Sequence, residues 1–140
     1  MKLTLMLADS AQAVDNKLFI LGGGWTVLGP VPGPTAIAIL IEVPWDETNR
    51  QHVLRLDLVD ADGAPVMVNT PEGPRPLQIA ANFEVGRPPG IAPGSAISMP
   101  MAINLGPLPI KPATRYEWRC SIDGTAREEW TLTFATRAAG

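Results

Sequence analysis

Apolar and polar residues alternate with a period of two along most of the chain, the mark of half-buried strands. Leu3, Leu5 and Leu7 alternate with Lys2, Thr4 and Met6. Asp9 to Asn16 reads as a polar turn, and Lys17 to Leu21 as a second strand. Gly22-Gly23-Gly24 stops that strand, and Trp25 to Leu28 resumes it. Consecutive glycines permit positive φ, so a bulge or tight change of direction is expected there. Thr35 to Val43 is the most apolar segment, with Ile37, Ile39, Ile41 and Val43 on one face and Ala36, Ala38, Leu40 and Glu42 on the other. A strand apolar on both faces predicts a central position, covered twice. Leu54, Leu56 and Leu58 form the next row, and Asp62-Gly63 predicts a hairpin returning through Pro65 to Asn69. Thr70 to Pro76 reads as a loop. Leu77, Ile79, Ala81, Phe83 and Val85 follow as an inward row, then Ile97, Met99, Met101, Ile103 and Leu105. Tyr116, Trp118, Cys120 and Ile122 share a face; Asp123-Gly124 predicts a second hairpin into Trp130, Leu132 and Phe134. No window has helical periodicity.

About nine short strands predict one all-β domain over residues 1–140, a two-layer antiparallel β-sandwich of immunoglobulin-like or jelly-roll-like form. Leu108-Pro109 ahead of Tyr116 resembles a tyrosine corner, which favours the immunoglobulin-like form. The expected core is Leu5, Leu7, Ile20, Ile37, Ile39, Ile41, Leu54, Leu56, Leu58, Ile79, Phe83, Met101, Ile103, Tyr116, Trp118, Cys120, Trp130, Leu132 and Phe134. The 15 prolines and 13 glycines fall mostly between these rows. Two stiff connections stand out, Gly29–Pro34 and Gly86–Ser95.

Net charge is −3, and the 11 basic residues are scattered. Nucleic-acid or anionic-membrane binding needs clustered cations, so neither partner is expected. The apolar part of Leu3–Ala8 is too short for a signal segment, which uses about 7–15 residues, and reads as the first strand. The single cysteine excludes an internal disulfide and favours a reducing compartment.

Candidate chemistry is sparse. Asp57, Asp60 and Asp62 lack the spacing and distal glutamate of a calcium loop. Gly22-Gly23-Gly24 leads into a strand, with no helix start, lysine or hydroxyl to cradle phosphate. Cys120 sits on an inward row, and the one imidazole, His52, reads as an exposed residue at a strand start. No cofactor or metal is expected, and the chain reads as a non-enzyme. Glu128 and Glu129 are adjacent and point apart, so a carboxylate-based hydrolase is the weaker rival. Trp25 and Trp45 fall at strand edges, and Val31 and Ile91 in the two stiff loops; these four are the candidate partner or ligand contacts. The leading expectation is a protein-interaction or scaffold domain, self-associating or binding another protein through an edge strand and apolar loops. The alternative is a small-molecule or carbohydrate-binding module with a tryptophan platform.

The segments Ala8-Asp9-Ser10-Ala11, Lys17-Leu18-Phe19-Ile20-Leu21-Gly22-Gly23-Gly24-Trp25, Val43-Pro44-Trp45 and Leu56 to Gly63 resemble a family of short bacterial proteins of unknown function. The shared pattern is ADxA…KLxILGGGW…VPW…LxLxDxDG, in roughly the first half of the chain. The resemblance implies a bacterial, cytoplasmic protein and supplies no site residues.

Overall fold

The computed structural model describes residues 1–140. In chain order its strands are β1 (Lys2–Ala8), β2 (Ser10–Val14), β3 (Lys17–Leu21), β4 (Val27–Leu28), β5 (Thr35–Val43), β6 (Gln51–Asp60), β7 (Met67–Thr70), β8 (Gly73–Pro76), β9 (Gln78–Glu84), β10 (Ile97–Leu105), β11 (Arg115–Ile122) and β12 (Thr125–Thr136). The only helical element is a 3-10 turn at Trp45–Glu47. One sheet has the order β1-β5-β10, and the facing sheet β4-β12-β11-β6-β9. Neighbours are antiparallel except β4, which runs parallel to β12. The hairpins β2–β3 and β7–β8 stand apart as two-stranded ribbons.

Strands β1, β5 and β10 take the places of A, B and E in one sheet, and β6, β11 and β12 those of C, F and G in the other. The order is that of an immunoglobulin-like sandwich. Its tyrosine corner is present: the Tyr116 hydroxyl oxygen accepts the Lys111 N–H at 2.8 Å, tying the incoming loop to β11.

The core lies between the sheets. Ile37, Ile39, Ile41 and Val43 of β5 meet Leu54, Leu56 and Leu58 of β6, Trp118 and Cys120 of β11, and Phe134 of β12, all essentially inaccessible. Leu5, Ile79, Met101, Ile103 and Leu132 pack against this cluster half-buried, because they sit on or beside edge strands. As the two-faced pattern of β5 requires, its other side is also covered. Ala36 and Ala38 lie with Ala8 and Ala102 beneath the β2–β3 hairpin, against its Ala11 and Leu18. Alanine methyls keep this second interface thin enough for the hairpin backbone to come close. Asn104 fixes the hairpin there: its Oδ1 accepts the Ala11 N–H at 3.2 Å, and its Nδ2 donates to the Ala11 carbonyl at 2.7 Å.

Three expectations need correction. Asp9–Asn16 is not one turn: Ser10–Val14 forms β2, and only Asp15 and Asn16 turn, both with positive φ. Its inward side chains are alanines, too weakly apolar to register as a strand row. Ile20 is 37% exposed rather than core, because it lies at the hairpin margin. There it flanks Gly23 together with Met6, and any Cβ at that glycine would strike both side chains. The Asp62-Gly63 return is a single bridge, Val59 to Pro65, and the chain then forms the β7–β8 ribbon across part of the expected loop. Pro74 and Pro76 are tolerated because a two-stranded ribbon leaves alternate N–H positions unused.

Asn104→Ala leaves the Ala11 N–H and C=O without their side-chain partners. It is expected to cost about 1–2 kcal/mol by denaturant titration. Amide-exchange protection should fall in β2 and β3 while β5 to β12 stay protected; uniform loss across both sheets would contradict this docking role.

Candidate functional site

The four contact residues expected from sequence are not brought together. Trp25 follows Gly24, whose N–H donates to Leu7 O at 2.7 Å, and Val31 precedes the first residue of β5. Trp45 follows the last residue of β5, and Ile91 lies in the loop entering β10, whose Ile97 pairs with Val43. The two pairs therefore sit at opposite ends of a nine-residue strand, roughly 30 Å long. Trp25 is half-buried and edge-on to Phe134 at 5.8 Å, closing one end of the core. The Trp45 ring carries the Arg87 guanidinium at 3.9 Å. That guanidinium also donates to Trp45 O at 2.8 Å and to Thr48 Oγ1 at 2.7 Å. One ring face is thus occupied from within the chain. Val31 and Ile91 are exposed, 88% and 41%.

His52 is the largest departure from the sequence reading: it is 2% exposed. Its Nδ1 lies 2.6 Å from Asp123 Oδ2, and its Nε2 lies 2.7 Å from Glu47 O. The ring stacks on Phe83, with centroids 5.2 Å apart. A carboxylate and a carbonyl only accept, so these two contacts favour the charged ring, which carries a proton on each nitrogen. Burial works against that charge. The hydrogen bond to Asp123, the one to Glu47 O and the Asp123 charge together outweigh burial and hold the pKa above its ordinary 6.5. The His52 bond, then the Val53 N–H at 2.9 Å, hold the Asp123 carboxyl below its ordinary 3.8. The group ties the β11–β12 turn to the 3-10 turn before β6. With both nitrogens engaged, the imidazole has no free position from which to act as a base.

Cys120 is buried, and burial pushes its thiol up to about 12, which leaves no thiolate near neutral pH. The outer face of the five-stranded sheet holds an open depression lined by Arg55, Asp57, Arg119 and Ser121. Its charges are internally matched, Arg55 with Asp57 at 3.2 Å and Arg119 with Glu117 at 2.8 Å.

The surface feature that stands out was missed from sequence. By alternation Ala11, Ala13, Leu18 and Ile20 lie on one face of the β2–β3 hairpin, of which Ala11 and Leu18 pack on the sheet while Ala13 and Ile20 are exposed at its margins; Val14, Phe19 and Leu21 lie on the other face, toward solvent. They are 46%, 55% and 71% exposed, and exposed Met6 and Ile20 adjoin them. A depression of about 400 Å³ runs along Ser10, Gln12, Phe19, Leu21 and Asn104. The signal was available: Leu18-Phe19-Ile20-Leu21 is apolar at both parities, as β5 is. In β5 both faces are covered; in β3 only one is.

The model of a family of unknown function (DUF6941) matches residues 3–135. No curated protein and no solved structure matches the chain. No helix is long and apolar enough to cross a membrane.

The His52–Asp123 pair predicts a two-sided pH dependence of stability. The raised His52 pKa means its contribution is full below pH 6.5 and is lost as pH rises through the folded value. The lowered Asp123 pKa means its contribution is present above pH 3.8 and is lost as pH falls through the folded value. His52→Gln keeps only part of the network and is expected to cost about 1–2 kcal/mol at pH 6, the low end because Asp123 is half-exposed. Thermal melts between pH 3 and 9 should show the wild-type alkaline decline flatten in the variant. Parallel curves would remove His52 as its source.

Proposed function

The chain belongs to DUF6941, and we propose that it works as a non-catalytic protein-interaction domain, a scaffold or adaptor that binds another protein or a second copy of itself. The observation that carries this reading is the apolar solvent face of the β2–β3 hairpin. Contiguous exposed apolar patches on soluble domains mark contact surfaces more often than isolated residues do. A bare strand of low charge is also a hazard for uncontrolled pairing, so covering it by a partner has a direct energetic rationale. The chemistry-bearing side chains point the same way: the one imidazole and the one thiol are both engaged in holding the fold. A bacterial origin and a cytoplasmic location accompany the proposal, on the strength of the sequence pattern and the unpaired cysteine.

A small-molecule reading draws on the depression of about 400 Å³, which lies in the usual range for ligand pockets. Its polar side chains are Ser10, Gln12 and Asn104, and the Asn104 carboxamide is already engaged with Ala11. That leaves few groups to orient a ligand, and the protein-contact reading is favoured.

Phe19→Lys with Leu21→Lys tests the proposal. Both side chains face solvent, so stability should stay within about 0.5 kcal/mol of wild type. Size exclusion with light scattering, and affinity capture from the native host, should show an association that the double variant loses. If wild type is strictly monomeric and everything it captures is retained by the variant, the reading is wrong.

A further inference from the structure

The hairpin's two edges are treated differently. In an antiparallel ladder, residues whose N–H and C=O point at the partner strand alternate with residues whose groups point away. Ala11 points away from β3, since both its groups bond to Asn104. Ala11 is paired with Ile20, and Ala13 with Leu18. By the same alternation, Leu18 and Ile20 turn their N–H and C=O groups away from β2, onto the outer edge of β3. No backbone hydrogen bond outside the ladders involves either residue. On the β2 edge the groups of Ala11 are closed by a carboxamide that imitates a peptide group and only those of Ala13 stay open, while the β3 edge presents two donors and two acceptors in register. Exposed edges are commonly guarded by proline, by inward charges or by bulges. Here Lys17, at the start of the strand, is the only guard.

We infer that the outer edge of β3 is a strand-addition site for an extended, uncharged segment of a partner protein. The inference rests on the protein-interaction reading above and names its site and the chemistry of its partner. The apolar area selects a segment over a second folded copy. The exposed fractions of Val14, Phe19, Leu21, Met6 and Ile20 amount to on the order of 400 Å² of apolar surface, half of the ~800 Å² that each partner buries in a stable complex. That deficit suits a short strand, whose main-chain bonds supply affinity that side-chain area does not. Between Ser10 and Leu21 the charged residues are Asp15 at the turn and Lys17, so the face asks for a segment without charge, or with one acid where it passes Lys17. Residues of the segment opposite Leu18 and Ile20 exchange backbone hydrogen bonds with them. The residue between those two lies beside Phe19 on the outer face and is apolar.

Selection of a random octapeptide display library on the intact protein, followed by synthesis of the selected peptide, tests this. The sequences should alternate apolar residues and lack net charge. Binding should shift and protect the Leu18 and Ile20 amides in nitrogen-15 spectra. Ile20→Pro, which removes an edge N–H, should weaken binding at least tenfold. Should that variant not fold, the wild-type protein with the peptide N-methylated at the two pairing residues must show the same loss. Selected peptides that perturb other residues, or a library that yields none, overturn the site. Concentration-dependent dimerisation of wild type that Ile20→Pro abolishes overturns the choice of a segment over a second copy. If Phe19→Lys with Leu21→Lys loses its partner while Ile20→Pro and the N-methylated peptide bind as before, strand addition fails and the wider interaction reading stands.

Discussion

Burial of β5 on both faces is the constraint from which most of the architecture follows. Its isoleucines lose nearly all their accessible surface to the opposite sheet, each contributing about 1.5–3 kcal/mol. Its alanines lose theirs to the β2–β3 hairpin. A strand so placed must be central, with β1 and β10 at its sides. It also needs a third layer of chain on its outer side. The residues between β1 and β4 supply that layer before the chain crosses to the other sheet. Small side chains outside and large ones inside give the two interfaces their different thicknesses.

Polar contacts then fix what packing leaves loose, chiefly the connections between sheets. Tyr116 holds the loop ahead of β11, and Arg87 clamps Trp45 and Thr48. His52 joins two turns through a buried imidazole. Each tie uses a side chain of the kind that elsewhere performs chemistry, and each is saturated by contacts within the chain. The protein's scarce reactive groups are therefore spent on rigidity at the ends of the sandwich, and the surface proposed for recognition is apolar and backbone-based. The hairpin over β5 belongs to both halves of this description. Its inner face completes the fold, while its outer face and outer edge remain unmatched.

Local patterning determined a good deal. Period-two rows located the core strands, the two-faced apolar run of β5 predicted a doubly covered centre, and Tyr116 signalled its corner; each depends only on side-chain polarity at fixed spacing along one strand. What tertiary structure alone decided has a common cause, the arrival of distant residues. His52 looked exposed among polar neighbours, and it is buried because Asp123, far along the chain, supplies a carboxylate that makes burying its charge tolerable. Ser10–Val14 became a strand because Asn104 and the alanines of β5 and β10 gave it a surface to lie on. Trp25 and Trp45 looked like one contact class, and the length of β5 holds them at opposite ends. Alternation in Leu18–Leu21 could say that both sides of β3 are apolar; only the packed sandwich shows that one of those sides has nothing above it, because coverage is a property of pairs of segments and no single segment encodes it.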